Sequence, residues 1–178
     1  MASSQAFNNM NHPLIIVMGV SGSGKTTVGE LLAKHLRLPF YDGDDFHSAA
    51  NVAKMAAGHP LTDADRHDWL ATLATHLGEW EQDNGAVLAC SALKETYRQT
   101  LQAGARDRLR WIFLDGSPEL LRARLEGRQG HYMKASMLDS QLATLEKPTY
   151  GLRIELQPNE TPEQVVARAV EQLPASAQ

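Results

Sequence analysis

The chain has 178 residues, 43% apolar and 21% charged, with a formal charge of −4 and a single cysteine, Cys90. That length suits one domain with a full core, and the composition excludes disordered and fibrous classes. The charge provides no basic excess for a nucleic-acid partner, and one cysteine excludes an internal disulfide or a multi-cysteine zinc site, which fits a reducing cytoplasm.

Residues 1–12 read as a polar tail without the basic and apolar regions of a leader, and 174–178 as a second tail, leaving 13–173 as a single domain. No stretch reaches the roughly 18 apolar residues of a membrane span. Short apolar runs then alternate with helical patterns, which predicts an α/β domain with a parallel sheet. The runs Leu14 to Met18, Pro39 to Tyr41, Ala86 to Cys90, Trp111 to Leu114 and Leu152 to Leu156 each predict a strand. Between the second and third, Trp69, Leu73, Leu77 and Trp80 share one face of a helix that Thr62 can cap, and that stripe reads as core. Ser117-Pro118 and Thr161-Pro162-Glu163-Gln164 place a capping hydroxyl before a proline at the first helical position, so helices are expected after strands four and five.

Directly after the first run, Gly19-Val20-Ser21-Gly22-Ser23-Gly24-Lys25-Thr26 matches G-x-x-x-x-G-K-[ST], between a strand and a helical stretch as that motif requires. Glycines let the backbone wrap a polyphosphate and turn its N–H groups inward, and the helix that follows adds its positive end. Lys25 is expected to reach the β- and γ-phosphates of ATP, with Thr26 on Mg²⁺ and the nucleotide-binding stretch extending through Thr27. A phosphate loop alone does not distinguish a kinase from a nucleotide switch, so the acceptor side has to be read separately.

Asp42-Gly43-Asp44 follows the second run, at the carboxyl end of a strand where ligands of open parallel sheets gather. The tripeptide is also an ordinary turn sequence. As an acidic pair it divides naturally: Asp42 holds Mg²⁺ through water, and Asp44 accepts the hydrogen of an attacking hydroxyl. Arg124 and Arg128, four apart on a helix, can close on ATP phosphates. Lys94 and Arg98 share another helical face, and with Arg66 they are candidates for the carboxylate of a sugar acid. His47 and His131 are candidates for substrate hydroxyls, and the histidines show no zinc-ligand spacing such as H-E-x-x-H.

From Asp42 onward the chain resembles the P-loop gluconokinases. Their D-G-D-x-x-H and N-x-x-K-M-x-x-G-x-P-L-x-D-x-D-R-x-x-W-L patterns are met by Asp42, Gly43, Asp44 and His47, then by Asn51, Lys54, Met55, Gly58, Pro60, Leu61, Asp63, Asp65, Arg66, Trp69 and Leu70. Cys90-Ser91-Ala92-Leu93-Lys94 with Tyr97-Arg98 resembles the family's C-S-A-L-K-x-x-Y-R, while Arg124, Arg128 and Gly130-His131 resemble its lid. Ser140-Gln141, Leu145-Glu146 and Pro148 match its S-Q-x-x-x-L-E-x-P stretch; Tyr132 and Lys147 depart from it.

The resemblance implies a P-loop fold of the nucleoside-monophosphate-kinase-like group, with sheet order 2-3-1-4-5, a lid over about 127–140 and a homodimer. It implies ATP and Mg²⁺ as cofactors and transfer of the γ-phosphate to the C6 hydroxyl of D-gluconate. It points to Gln157 to Asn159 for adenine. Two other functions remain open at this stage. A shikimate-kinase-like enzyme shares the phosphate loop, an Asp-x-Asp and an arginine-bearing lid, but lacks the segment from His47 to Trp69. A nucleotide switch without phosphotransfer would need a guanine-reading N-K-x-D, which the chain lacks.

Overall fold

Five consecutive apolar residues, Leu14–Met18, form β1, the central strand of the computed structural model, and none of them is exposed. The structure describes residues 13–106, 109–127 and 134–174. β1 has a parallel neighbour on each side, β3 (Ala86–Ala89) and β4 (Leu109–Asp115), while β2 (Phe40–Asp42) and β5 (Leu152–Glu155) complete the sheet in the order β2-β3-β1-β4-β5. Both the strand count and the expected order hold. A strand covered on both faces has no use for polar alternation, so β1 reads as a continuous apolar run.

Alternate residues of β1 enter two cores. Leu14, Ile16 and Met18 pack with Trp69, Leu73, Leu77 and Trp80 of α3 (Asp63–Gln82), whereas Ile15 and Val17 pack with α1 (Lys25–Leu36) and α7 (Pro162–Gln172). Each fully buried aliphatic side chain contributes about 1.5–3 kcal/mol. α3 starts where expected: Thr62 accepts from the Asp65 N–H, and the Asp65 side chain returns the bond to the Thr62 N–H. α5 (Pro118–Glu126) is capped by Ser117 and α7 by Thr161 with Gln164.

Three helices complete the layers. α2 (Ala49–Ala56) docks on the start of α3 through Lys54 to Asp65 at 2.5 Å and Asn51 Nδ2 to the Asp65 carbonyl at 2.8 Å. The Lys54 ammonium, followed by Thr62, holds the Asp65 carboxyl down at about 2. α4 (Glu95–Gly104) follows β3, and α6 (Lys134–Thr144) takes up the C-terminal part of the stretch expected as a lid, with Leu138 buried in the core. Residues 128–133 of that stretch lie outside the described residues, as do 1–12 and 175–178 of the expected tails.

α3 and α4 approach backbone to backbone. A Cβ on Gly104 would lie 2.0 Å from the Ala74 carbonyl oxygen, and one on Gly78 would lie 2.8 Å from the Gly104 oxygen. Overpacking of this kind costs about 1–3 kcal/mol where side chains can yield, and here the obstacle is backbone. Gly104→Ala is therefore expected to destabilise by about 3 kcal/mol or more and to lower Tm by about 6 °C or more for a chain of this size. Gly127→Ala, whose Cβ would meet nothing closer than 3.4 Å, is expected to stay within about 1 kcal/mol of the parent in the same thermal melts.

Candidate active site

The phosphate loop turns off the carboxyl end of β1. Gly22 (φ 84) and Gly24 (φ 85) are left-handed, and Gly24 caps α1, so Lys25 stands at the first helical position. A Cβ on Gly19 would lie 2.7 Å from Ser23 Oγ and 3.0 Å from the Leu114 oxygen, which leaves room only for glycine. Val20 and Ser23 are buried within the loop, whereas Ser21, Gly22, Gly24, Lys25, Thr26 and Thr27 line a cavity of about 730 Å³. This is the anion cradle expected of such a loop: amides and a lysine around a concavity at a helix N-terminus.

Thr26 and Asp42 meet across the ends of β1 and β2. The Thr26 hydroxyl donates to Asp42 Oδ2 at 2.7 Å, and Asp42 Oδ1 accepts from the Asp44 N–H at 3.0 Å. A hydroxyl and one carboxylate beside a phosphate cradle fit Mg²⁺, which keeps several waters and takes few protein ligands. Arg124, on α5, hangs over the loop, since a Cβ on Gly24 would sit 4.0 Å from its Nη1. Arg128 and His131 lie outside the described residues.

The acceptor side faces the loop across the same cavity. Asp44 is the second residue of a 3₁₀ turn, Gly43–Phe46, with its side chain 71% exposed. His47, whose side chain is only 3% exposed, stacks on Trp69 with centroids 4.2 Å apart and places Nε2 3.8 Å from Asp44 Oδ1. Burial lowers its pKa against the opposing pull of Asp44, and its Nδ1 is buried without a partner among the described residues. Trp69 Nε1 donates to the Gly43 carbonyl at 2.7 Å. The tryptophan that reads in sequence as core is thus also the support of the Asp-Gly-Asp turn. The contact spans 26 positions of sequence, and the only local signal for it was a ring N–H that needs a partner when buried.

The three basic candidates for a carboxylate separate. Arg66 lines the cavity, donates from Nη1 to the Leu61 oxygen and Tyr97 hydroxyl, and has no carboxylate partner among the described residues. Lys94 is the N-cap of α4 rather than part of its face, and both oxygens of Asp63 hold it, at 3.0 and 3.1 Å. Tyr97 also donates to Asp63, and these two bonds keep the Asp63 carboxyl below its usual range. Arg98 requires a correction. It is 1% exposed and its guanidinium is committed to the Ala92, Leu93 and Glu146 carbonyls, Glu95 and the Tyr150 hydroxyl. A helical face shared with Lys94 cannot reveal that α4 turns Arg98 inward.

Sequence reasoning also left Asp63 and Gln141 without roles. Asp63 compensates Lys94, and the Gln141 side chain accepts from the Ser21 N–H at 2.7 Å. Cys90 is buried, and burial pushes its thiol up to about 12.

Comparison with known proteins gives the family and the fold. A Shikimate kinase family model matches residues 21–174. Gluconokinase of Gluconobacter oxydans is 51% identical over 135 residues, covering 75% of each chain. The crystal structure of a gluconokinase from Sinorhizobium meliloti aligns with TM-score 0.82 and 39% identity, covering 90% of this chain and 91% of that one. Shikimate kinase from Aquifex aeolicus aligns over 88% of this chain and 93% of its own with TM-score 0.54 at 18% identity, a likeness of fold alone. The wider shikimate kinase group therefore accounts for the architecture, and the chain belongs to the gluconokinase family.

Proposed function

We propose that this chain transfers the γ-phosphate of ATP to the C6 hydroxyl of D-gluconate, giving 6-phosphogluconate and ADP, with Mg²⁺ as the metal. The observation that carries the proposal is that one cavity holds Lys25 and Thr26 of the phosphate loop, the exposed carboxylate of Asp44, and Arg66 without a carboxylate partner among the described residues. Those are the groups needed to hold a polyphosphate, to receive a hydroxyl proton and to anchor a small acid.

In the proposed reaction the C6 oxygen forms a bond to the γ-phosphorus, the bond from that phosphorus to the β–γ bridging oxygen breaks, and the electron pair leaves with ADP. Asp44 accepts the C6 hydroxyl proton. Lys25 and the loop amides hold the phosphates, Arg124 adds positive charge over the loop, and Arg66 pairs with the gluconate carboxylate. His47 orients a sugar hydroxyl. Mg²⁺, held by Thr26 and through water by Asp42, supplies neutralisation of the charge on the phosphate oxygens when bound. The same reading places the chain in the cytoplasm as a homodimer, for which light scattering would give twice its 19.6 kDa mass.

The match to the shikimate kinase group favours one rival, a different small acid in the same cavity. A coupled assay of ADP release over gluconate, shikimate, other aldonates and no acceptor is expected to show turnover with gluconate; turnover of shikimate with gluconate inert would replace the proposal by its rival.

Asp44→Asn is close to isosteric and leaves the phosphate loop untouched. Its single-turnover rate is expected to fall about 10²–10⁴-fold with ATP affinity nearly unchanged. Lys25→Ala should instead act through the nucleotide phosphates. Near-normal turnover by Asp44→Asn would remove that residue from its role.

Arg66→Ala is expected to raise KM for gluconate about 10- to 100-fold, the loss of one charge-assisted pair, and to leave KM for ATP within about threefold. An equal rise in both constants would show that Arg66 supports the fold through Leu61 and Tyr97 and does not bind the acid.

A further inference from the structure

Gln141 belongs to a stretch whose function the reaction above does not use, yet its side chain makes a hydrogen bond from α6 to the phosphate loop. Its Oε1 accepts from the Ser21 N–H at 2.7 Å across 120 positions of sequence. A backbone N–H is only a donor, so it selects the carbonyl end of the carboxamide and sets which way the amide points. The Nε2 end bonds to no described residue and is left as a donor on the wall of the cavity that Gln141 lines.

The position of this amide is well determined. Leu138 anchors α6 in the core, Arg122 pairs with Asp139 at 2.6 Å, and the chain leaving the helix is held by the Glu146 N–H to the Leu93 carbonyl at 2.8 Å. A phosphate seated deepest in the loop would meet the N-terminus of α1 and Lys25. Ser21 is on the other arm of the loop, the one leading in from β1, and shares the cavity with Asp44. A donor fixed on that arm would face a terminal phosphate that reaches from the loop across the cavity toward Asp44.

We propose that the Gln141 carboxamide, oriented by the Ser21 N–H, donates through Nε2 to the γ-phosphoryl oxygens of bound ATP and strengthens that bond as the group transfers. Preorganised donors at developing charge are where such residues contribute most. The proposal rests on ATP as the phosphoryl donor at this loop; it does not depend on the identity of the acceptor.

The test compares ADP with a non-hydrolysable ATP analogue, by calorimetry, in the full chain and in two variants. Gln141→Glu keeps an acceptor for the Ser21 N–H, removes the donor and turns a carboxylate toward the phosphate. Gln141→Ala removes the amide altogether. ADP affinity is expected to stay within about threefold in both variants. Analogue affinity is expected to fall at least about tenfold in Gln141→Glu and less in Gln141→Ala, and kcat to fall on the order of 10²-fold in Gln141→Glu. Equal weakening of ADP and analogue, or analogue affinity unchanged in both variants, would overturn the proposal. Should Gln141→Glu fail to fold, the Gln141→Ala comparison decides alone. Because the nucleotide measurements contain no acceptor, they stand even if gluconate proves not to be the substrate.

Discussion

A guanidinium cannot shed its charge inside a protein, so the burial of Arg98 obliges the chain around it to supply a complete set of partners. They come from four places: the Ala92 and Leu93 carbonyls after β3, Glu95 at the start of α4, the Glu146 carbonyl after α6, and the Tyr150 hydroxyl before β5. Leu93 accepts a second bond from the Glu146 N–H, and Ala92 adopts a left-handed backbone (φ 45) that turns its carbonyl inward. One side chain thereby joins the exit of β3, where Ser91 lines the cavity, to the exit of α6, where Gln141 does. Breaking a buried ionic group by removing one partner costs about 3–5 kcal/mol, so both walls of the cavity hold their relative position as one unit.

With Arg98 committed to structure, charge on the acceptor side is distributed by Asp63. It holds Lys94 and receives the Tyr97 hydroxyl, and Tyr97 in turn receives one donor of Arg66. The result is a chain of polar contacts in which one cation is neutralised and its neighbour is aimed into the cavity. The phosphate side achieves its positive character differently, mostly with backbone amides and a helix end. Such amides stay put during the reaction, whereas the acceptor side depends on side chains held by other side chains.

The layers of the fold were legible because their signals are local. Leu14–Met18 is apolar throughout, and the hydroxyl-proline starts of α5 and α7 are read from adjacent residues. The phosphate loop and the Asp-Gly-Asp turn were legible for the same reason. What escaped was determined by contacts distant in sequence. Arg98 looks like a surface cation until Glu146 and Tyr150 close over it, and Gln141 looks like an unremarkable helical residue until α6 brings it to Ser21. Asp63 was visible as a motif position, but its task depends on Lys94 lying 31 residues later.

The central place of β1 also affects how the protein is made. Its pairing partners are β3 and β4, with Leu14 registered against Ala86 and Leu109. On the ribosome β1 therefore emerges before both of its partners and waits for about ninety residues before its second edge can be covered. At ordinary rates of synthesis that interval is about 5–20 s, during which an unpaired, uncharged strand is open to association with other nascent chains. α1, a neighbour in sequence, packs on Ile15 and Val17 and is the first element available to cover one face. The order of strands that sets the phosphate loop at the centre of the sheet thus separates β1 in synthesis from both of the strands that cover its edges.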